Sequence, residues 1–220
     1  MLTLYGNPLS SPSNKICYCA NYLNIPYEFV TINLGAGEQK TIKFARLLPL
    51  KKIPAIDDNG FILAESNAIV RYLANKHESS LYPKNLQERA IVDQWIDYAS
   101  HHIALATSKI MFNTVFYKFS NTALDERSLQ DGKFFLSQYL PVLEQQLTSN
   151  KYMAGNTLTL ADICLLGALD VCEVIQYDLS AFPCLVSWRK NLMAQDFYKK
   201  CHNSYADTFN AVMAHVKQEK

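Results

Sequence analysis

Near the start of the chain, Ser10, Ser11 and Ser13 surround Pro12. A hydroxyl before a proline reads as a helix start, the side-chain oxygen capping backbone N–H groups and the proline sitting in the first turn. The same place can do chemistry. Its unpaired N–H groups and the positive end of the helix dipole favour a thiolate or carboxylate, and a nearby hydroxyl can donate one more bond, which lowers the pKa of a bound thiol. Taken alone, such a serine is more often only a cap.

Two further groups could hold a ligand. At Lys52-Ile53-Pro54, a cis bond before the proline would turn the Ile53 backbone outward to pair with an extended peptide, as an edge strand does; a trans proline ending a loop is the alternative. At Glu65-Ser66, the serine and the helix start behind it can take a carboxylate while Glu65 takes an ammonium, so a zwitterionic amino-acid end would fit. The plain reading there is a cap beside a surface charge. Gln39, Lys40 and Lys52 could clamp a second carboxylate or be solvated surface. His101-His102 does not suggest a metal, since neighbours on a helix point about 100° apart and no other His or Cys is suitably spaced.

The elements that would position these groups follow from two mixed periodicities in the first eighty residues. Strands are expected at Leu2–Tyr5, Tyr27–Ile32, Ile53–Ile56 and Phe61–Ala64, with a hairpin turn at Asp57-Asp58-Asn59-Gly60. A helix starts at Ser11-Pro12 and carries Ile16, Ala20 and Leu23. A short irregular helix covers Gln39–Leu48, and a third starts at Ser66 with Ile69, Val70 and Leu73. The order is βαβ, then αββα.

From Leu81 the strand signal stops. Tyr82–Asn85 reads as a linker, and helical patterns follow, among them Ile91, Trp95, Tyr98 and Phe134, Gln138, Leu140, Leu143. Thr159-Leu160-Ala161-Asp162 is the aspartate version of a capping box, with Leu158 placed for a staple against Ile163, and opens a buried helix from Ile163 to Val174. The expected division is an α+β domain over 1–80, a linker at 81–86 and an all-helical domain over 87–220.

Composition narrows the partners. The 220 residues are 49% hydrophobic with a formal net charge of +1, which offers a core but no bulk attraction to nucleic acid or an anionic membrane. No apolar run approaches the ~20 residues of a membrane helix, and the opening MLTLYGNP lacks a secretory leader's pattern, so a cytoplasmic setting is expected. The six cysteines, Cys17, Cys19, Cys164, Cys172, Cys184 and Cys201, contain no CxxC pair and lie in apolar stretches, which reads as reduced, mostly buried thiols.

In order, these features resemble the cytosolic glutathione transferase family over most of the chain. The longest match is PLKKIPAIDDNGFILAESNAIVRYLANKH, Pro49 to His77. TLTLADICL, Thr157 to Leu165, is similar to the family's capping-box segment, and FPCLVSWRKNL, Phe182 to Leu192, to its late helix. The resemblance implies a thioredoxin-like N-terminal domain that binds glutathione, an all-α helical-bundle C-terminal domain, and an electrophile in the cleft between them. It implies a cytoplasmic, detoxifying homodimer whose co-substrate is glutathione, with no metal.

By the same resemblance Ser10 matches the serine that stabilises the thiolate in the theta, delta and phi classes, with Ser11 the fallback one position on, and Tyr5 the lesser choice. Ile53 would exchange backbone bonds with the cysteinyl unit, Pro54 would be the cis-proline, and Glu65 and Ser66 would hold the γ-glutamyl end. Gln39, Lys40 and Lys52 match positions that meet the glycine carboxylate. The chain departs from the pattern at Gln39, where theta and phi members often have histidine, at Leu48, where asparagine is usual, and at Ser13-Asn14, where theta members have Cys-Arg. A theta-like or bacterial-type member is therefore expected. The zeta class of maleylacetoacetate isomerases shares Ser-Ser but has cysteine at Pro12 and tryptophan at Asn14. The remaining alternatives are a non-catalytic glutathione-binding or dimerisation module of the same fold and a cysteine-using thioltransferase or glutathione-dependent lyase, the latter disfavoured because Cys17 and Cys19 fall inside the first helix, past its start.

The electrophile pocket would draw on the Asn7–Leu9 loop, with Leu9, and on the helix carrying Ile103, Thr107, Ile110, Met111, Thr114 and Val115. These apolar or small residues also serve ordinary core packing.

Overall fold

In the computed structural model, which describes residues 1–47, 50–120 and 122–218, the elements run β1 (Leu2–Gly6), α1 (Ser11–Tyr22), β2 (Tyr27–Thr31), α2 (Ile42–Leu47), β3 (Ala55–Asp58), β4 (Phe61–Ala64) and α3 (Ser66–Lys76), then α4 (Leu86–Tyr98), α5 (Ala104–Thr114), α6 (Glu126–Ser149), α7 (Leu160–Val174), α8 (Pro183–Met193), α9 (Asp196–Lys199) and α10 (Tyr205–Gln218). The βαβ-αββα order is present. It builds one four-stranded sheet, β2-β1-β3-β4, in which β1 pairs parallel with β2 and the other pairs are antiparallel.

Alternation along β1 sets the layers. Leu2 and Leu4 point into the main core with α1 and α3, whereas Tyr5 joins a smaller cluster with Ile32 and Phe44 of α2 on the opposite face. The hairpin closes through two residues, Asn59 at φ 53 and Gly60 at φ 92, as a turn with two positive φ values requires. Asp57 and Asp58 are thus strand rather than turn, and β3 starts at Ala55, two residues later than expected, because Pro54 has no N–H to offer the ladder. Leu48, where asparagine was expected, lies outside the described residues.

The main core runs without a break into the helical half, from Leu2 through Tyr18 and Leu73 to Leu166 and Tyr198. Its centre is α7, buried along its length from Leu160 to Cys172, as a helix apolar all round must be. The capping box closes, so α7 starts at Leu160, three residues before the expected Ile163. Asp162 accepts from Thr159 N at 2.9 Å, Thr159 Oγ1 at 3.1 Å, Met153 N at 2.9 Å and Trp188 Nε1 at 2.9 Å. Gly167 lets α1 approach: a Cβ there would lie 3.1 Å from Lys15 Cβ.

Two apolar residues of the expected helical patterns lie at the surface. Ile91 of α4 is 44% exposed and Phe134 of α6 is 60% exposed. On α6 the buried stripe is Leu129, Gly132, Leu136, Leu140, Leu143 and Leu147, because α5 presses onto Gly132, where a Cβ would meet Ala106 O at 2.9 Å. A π-helical turn, Ala99–Ile103, joins α4 to α5. It carries His102 against the rings of Tyr98 and Tyr139, 4.8 Å and 4.7 Å away.

Candidate active site

The cap of α1 is Ser10, not Ser11. Ser10 has extended φ/ψ of −98° and 104°, and its Oγ accepts from Ser13 N at 3.3 Å. Among the described residues its hydroxyl proton has no acceptor. Ser11 stands inside the helix and donates its hydroxyl to the Gly167 carbonyl of α7. One hydroxyl is free for a ligand and the other is committed to helix packing.

The loop that presents Ser10 is held from three sides. Asn7 Nδ2 donates to Ile32 O at 2.9 Å while its Oδ1 accepts Leu9 N at 2.9 Å. Asn14 Nδ2 donates to Pro8 O at 3.1 Å, and Tyr205 Oη of α10 donates to Leu9 O at 2.7 Å. Buried amides are hydrogen-bonded in this way because leaving them without partners is costly.

Behind this loop lies a cleft of about 180 Å³ lined by Pro12, Leu50, Lys52, Ile53, Pro54, Ala64, Glu65 and Ser66. The Ile53–Pro54 bond is cis, and Ile53 stands beyond the ladder that begins at Ala55. Glu65 sits at φ 66, a left-handed conformation that costs a residue with a side chain ~1–3 kcal/mol and is concentrated at ligand sites. α3 starts directly after it without a side-chain cap, so its first N–H groups are available to an anion.

Gln39 and Lys40 do not line the cleft. They lie in a 3₁₀ turn, Glu38–Lys40, with Lys40 exposed. Gln39 Oε1 is buried with no partner among the described residues.

Lys15 was not foreseen. It is only 8% exposed, and its ammonium donates to Asn67 Oδ1 at the start of α3, whose Nδ2 in turn donates to Ser100 Oγ at 2.8 Å. Burial holds the Lys15 pKa below its ordinary value. Ser13, Asn14 and Lys15 are all buried, a polar run that pattern reading places at the surface.

The residues expected around an electrophile divide. Leu9 and Met111 share a cluster with Val171, Tyr205 and Phe209, beside Val115 and Phe116. Ile103 and Ile110 instead belong to the main core, and Ile110 packs against Gly132 of α6. Thr107 is buried and donates to Ile103 O at 3.0 Å, and Thr114 donates to Ile110 O at 2.8 Å, each hydroxyl turned back on its own helix. The other side of that cluster is α10, whose Tyr205, Phe209 and Met213 recur every four residues. Among the described residues no group of three or more His, Cys, Asp or Glu is placed to hold a metal ion.

Residues 1–75 match the glutathione S-transferase N-terminal domain, and residues 108–196 match the glutathione S-transferase C-terminal domain. Glutathione S-transferase D7 of Anopheles gambiae is 31% identical over 210 residues, 93% of each chain. The chain belongs to the glutathione S-transferase family. Glutathione S-transferase F10 of Arabidopsis thaliana is 33% identical over 168 residues, 74% of this chain and 77% of the relative. The solved glutathione S-transferase-I bound with lactoylglutathione superposes with a TM-score of 0.83 at 28% identity, over 91% of this transferase and 97% of that one.

Proposed function

We propose that the chain adds the glutathione thiolate to small, partly apolar electrophiles, with Ser10 as the hydroxyl that stabilises the thiolate. One observation carries this reading: at the start of α1, Ser10 has an unspent proton two residues from the cleft-lining Pro12, while Ser11 is bonded to Gly167. A hydrogen bond to a charged group contributes ~1.5–3 kcal/mol, and ~1.4 kcal/mol is one pKa unit, so Ser10 alone can lower a bound thiol by about one to two units. The α1 dipole adds to it.

The other roles follow the cleft. Ile53 pairs its backbone with the cysteinyl unit, and the uncapped start of α3 with Ser66 takes the γ-glutamyl carboxylate while Glu65 takes the ammonium. Lys52, which lines the cleft, meets the glycine end. The electrophile packs on Leu9, Met111, Val115 and Phe116 beneath α10. Exposed Leu105 of α5 and Phe134 of α6 supply apolar surface for a second copy, in a homodimer. Six free thiols suit a reducing cytoplasm.

Calorimetric titration with glutathione and an assay of thiol addition to chloro-dinitrobenzene, on wild type and Ser10→Ala, test the reading. The variant should bind and lose ~10–100-fold in rate, the range of the hydrogen bond above. Equal rates would remove Ser10 from the mechanism, and absence of binding by wild type would remove the glutathione site.

A further inference from the structure

A peptide unit is a rigid plane, so a side chain is aimed by the two planes that flank its Cα. Around Ser10 both planes are pinned. In the plane before it, the Ser10 N–H donates to Asn7 O at 2.8 Å and the Leu9 carbonyl accepts Tyr205 Oη at 2.7 Å. In the plane after it, the Ser10 carbonyl accepts Ser13 N at 2.8 Å and Asn14 N at 3.0 Å. The bonds to Asn7, Ser13 and Asn14 stay within the loop and the first turn of α1. The bond from Tyr205 arrives from the first residue of α10, 196 residues further along the chain.

Tyr205 is built to hold this bond. It is 1% exposed, and its ring packs on His202 at 5.8 Å and Phe209 at 6.2 Å, in the cluster that also takes in Met111, Val171 and Leu9. Burial pushes its pKa up, so the phenol keeps its proton and stays a donor. The residues on either side of it are fixed on α7, where Glu173 Oε2 accepts Ser204 Oγ at 3.2 Å and Ala206 N at 3.0 Å. Among the described residues the Leu9 carbonyl is the hydroxyl's one hydrogen-bond partner. A phenylalanine ring would fill the same place in the cluster, so packing alone does not call for the hydroxyl.

We propose that Tyr205 is a positioning residue for the conjugation, holding the Leu9–Ser10 peptide plane so that the Ser10 hydroxyl points at the glutathione sulfur. The proposal rests on Ser10 as the partner of the thiolate. Tyr205 acts through a backbone carbonyl and not on glutathione itself. A hydrogen bond weakens steeply as it is misaligned, so freeing this plane weakens the bond to the sulfur. Ile53, Glu65 and Ser66, which hold the rest of the tripeptide, lie on other segments. Loss of the phenolic hydroxyl therefore changes the ionisation of the thiol far more than the affinity for glutathione.

The test compares Tyr205→Phe, Ser10→Ala, the double variant and Ser204→Ala with wild type. Three readouts are taken: the ultraviolet absorbance of the thiolate in the glutathione complex against pH, kcat with chloro-dinitrobenzene, and the melting temperature. Tyr205→Phe should raise the pKa of the bound thiol by about half a unit to one unit and lower kcat about three- to tenfold, the worth of one neutral hydrogen bond, with glutathione affinity within about twofold of wild type. In the Ser10→Ala background the same substitution should change neither pKa nor kcat, because the hydroxyl it aims is gone. Ser204→Ala, which removes a tie to Glu173 at the root of α10 and leaves the phenol, should lower the melting temperature and leave the thiol pKa in place. An unmoved thiol pKa in Tyr205→Phe, an undiminished effect in the Ser10→Ala background, or the same pKa shift in Ser204→Ala would overturn the proposal and leave the role of Ser10 standing. A wild-type rate in Ser10→Ala would instead remove Ser10 from the mechanism, and the task of Tyr205 with it.

Discussion

Truncating Asp162 to alanine should cost at least ~3 kcal/mol of stability. Four donors converge on its carboxylate, three of them N–H groups of Met153, Thr159 and Trp188, and these residues are 0%, 2% and 3% exposed. An alanine leaves all three N–H groups without an acceptor, at ~1–3 kcal/mol each, while the Thr159 hydroxyl can rotate to another partner. The sum, ~3–9 kcal/mol, is a large share of the ~5–15 kcal/mol that holds a typical domain. Asp162→Asn, which keeps the shape but turns an NH₂ toward one set of donors, should fall between, and Thr159→Ala should cost only ~1 kcal/mol as a lost cap. Urea unfolding followed by circular dichroism, at one fixed protein concentration so that any self-association weighs equally on every variant, gives the order. An Asp162→Ala variant within 1 kcal/mol of wild type would refute the claim that these bonds are the acceptor's work.

Gly167→Ala should push Ser11 and Lys15 outward from α7, costing ~1–3 kcal/mol by overpacking against up to ~1 kcal/mol of helix propensity regained, and should slow conjugation more than it weakens glutathione binding; paired kinetics and titration check this. Lys76 first and then Tyr72 hold the Asp58 carboxyl below its ordinary value of 3.8. Its stabilisation is therefore present above that pH and lost as pH falls through the lower folded value, and thermal melts of Asp58→Asn should converge on wild type only in strong acid. His202 runs on a different window: burial lowers it from 6.5 to about 4, so the unfolded chain takes the proton first and stability is lost as pH falls from 6.5 toward 4. Discounted for partial solvent screening the loss is ~1–2 kcal/mol, and the pH profile of His202→Gln relative to wild type should lack it.

What could be read in advance was local. Asn59-Gly60 announces its turn because both residues tolerate the φ that the turn demands, and Thr159 with Asp162 announces a helix start three residues apart. Pro12, Ile53, Pro54, Glu65 and Ser66, named from three separate segments, do meet in one cleft. The misses were long-range. Ser13-Asn14-Lys15 looks like solvated surface until Asn67 and Gly167 arrive to cover it. Phe134 and Ile91 fit a helical stripe, but the stripe that is buried depends on which neighbour presses where. Asn7, Asn14 and Tyr205 act on backbone carbonyls of other segments, a pairing that no spacing rule encodes. α10, which repeats an aromatic or apolar residue at Tyr205, Phe209 and Met213, was not singled out in the sequence, because nothing in that spacing says which segment it docks against.

The bond from Tyr205 to Leu9 also has a consequence for the order of assembly. Chains fold broadly from the N-terminus as they are made, so the sheet and the Asn7 and Asn14 ties can form while α10 is still inside the ribosome. The loop beside Ser10 gains its third tie only after Tyr205 has emerged, about two hundred residues later, and a nascent chain carries an incompletely held loop until α10 is free to dock.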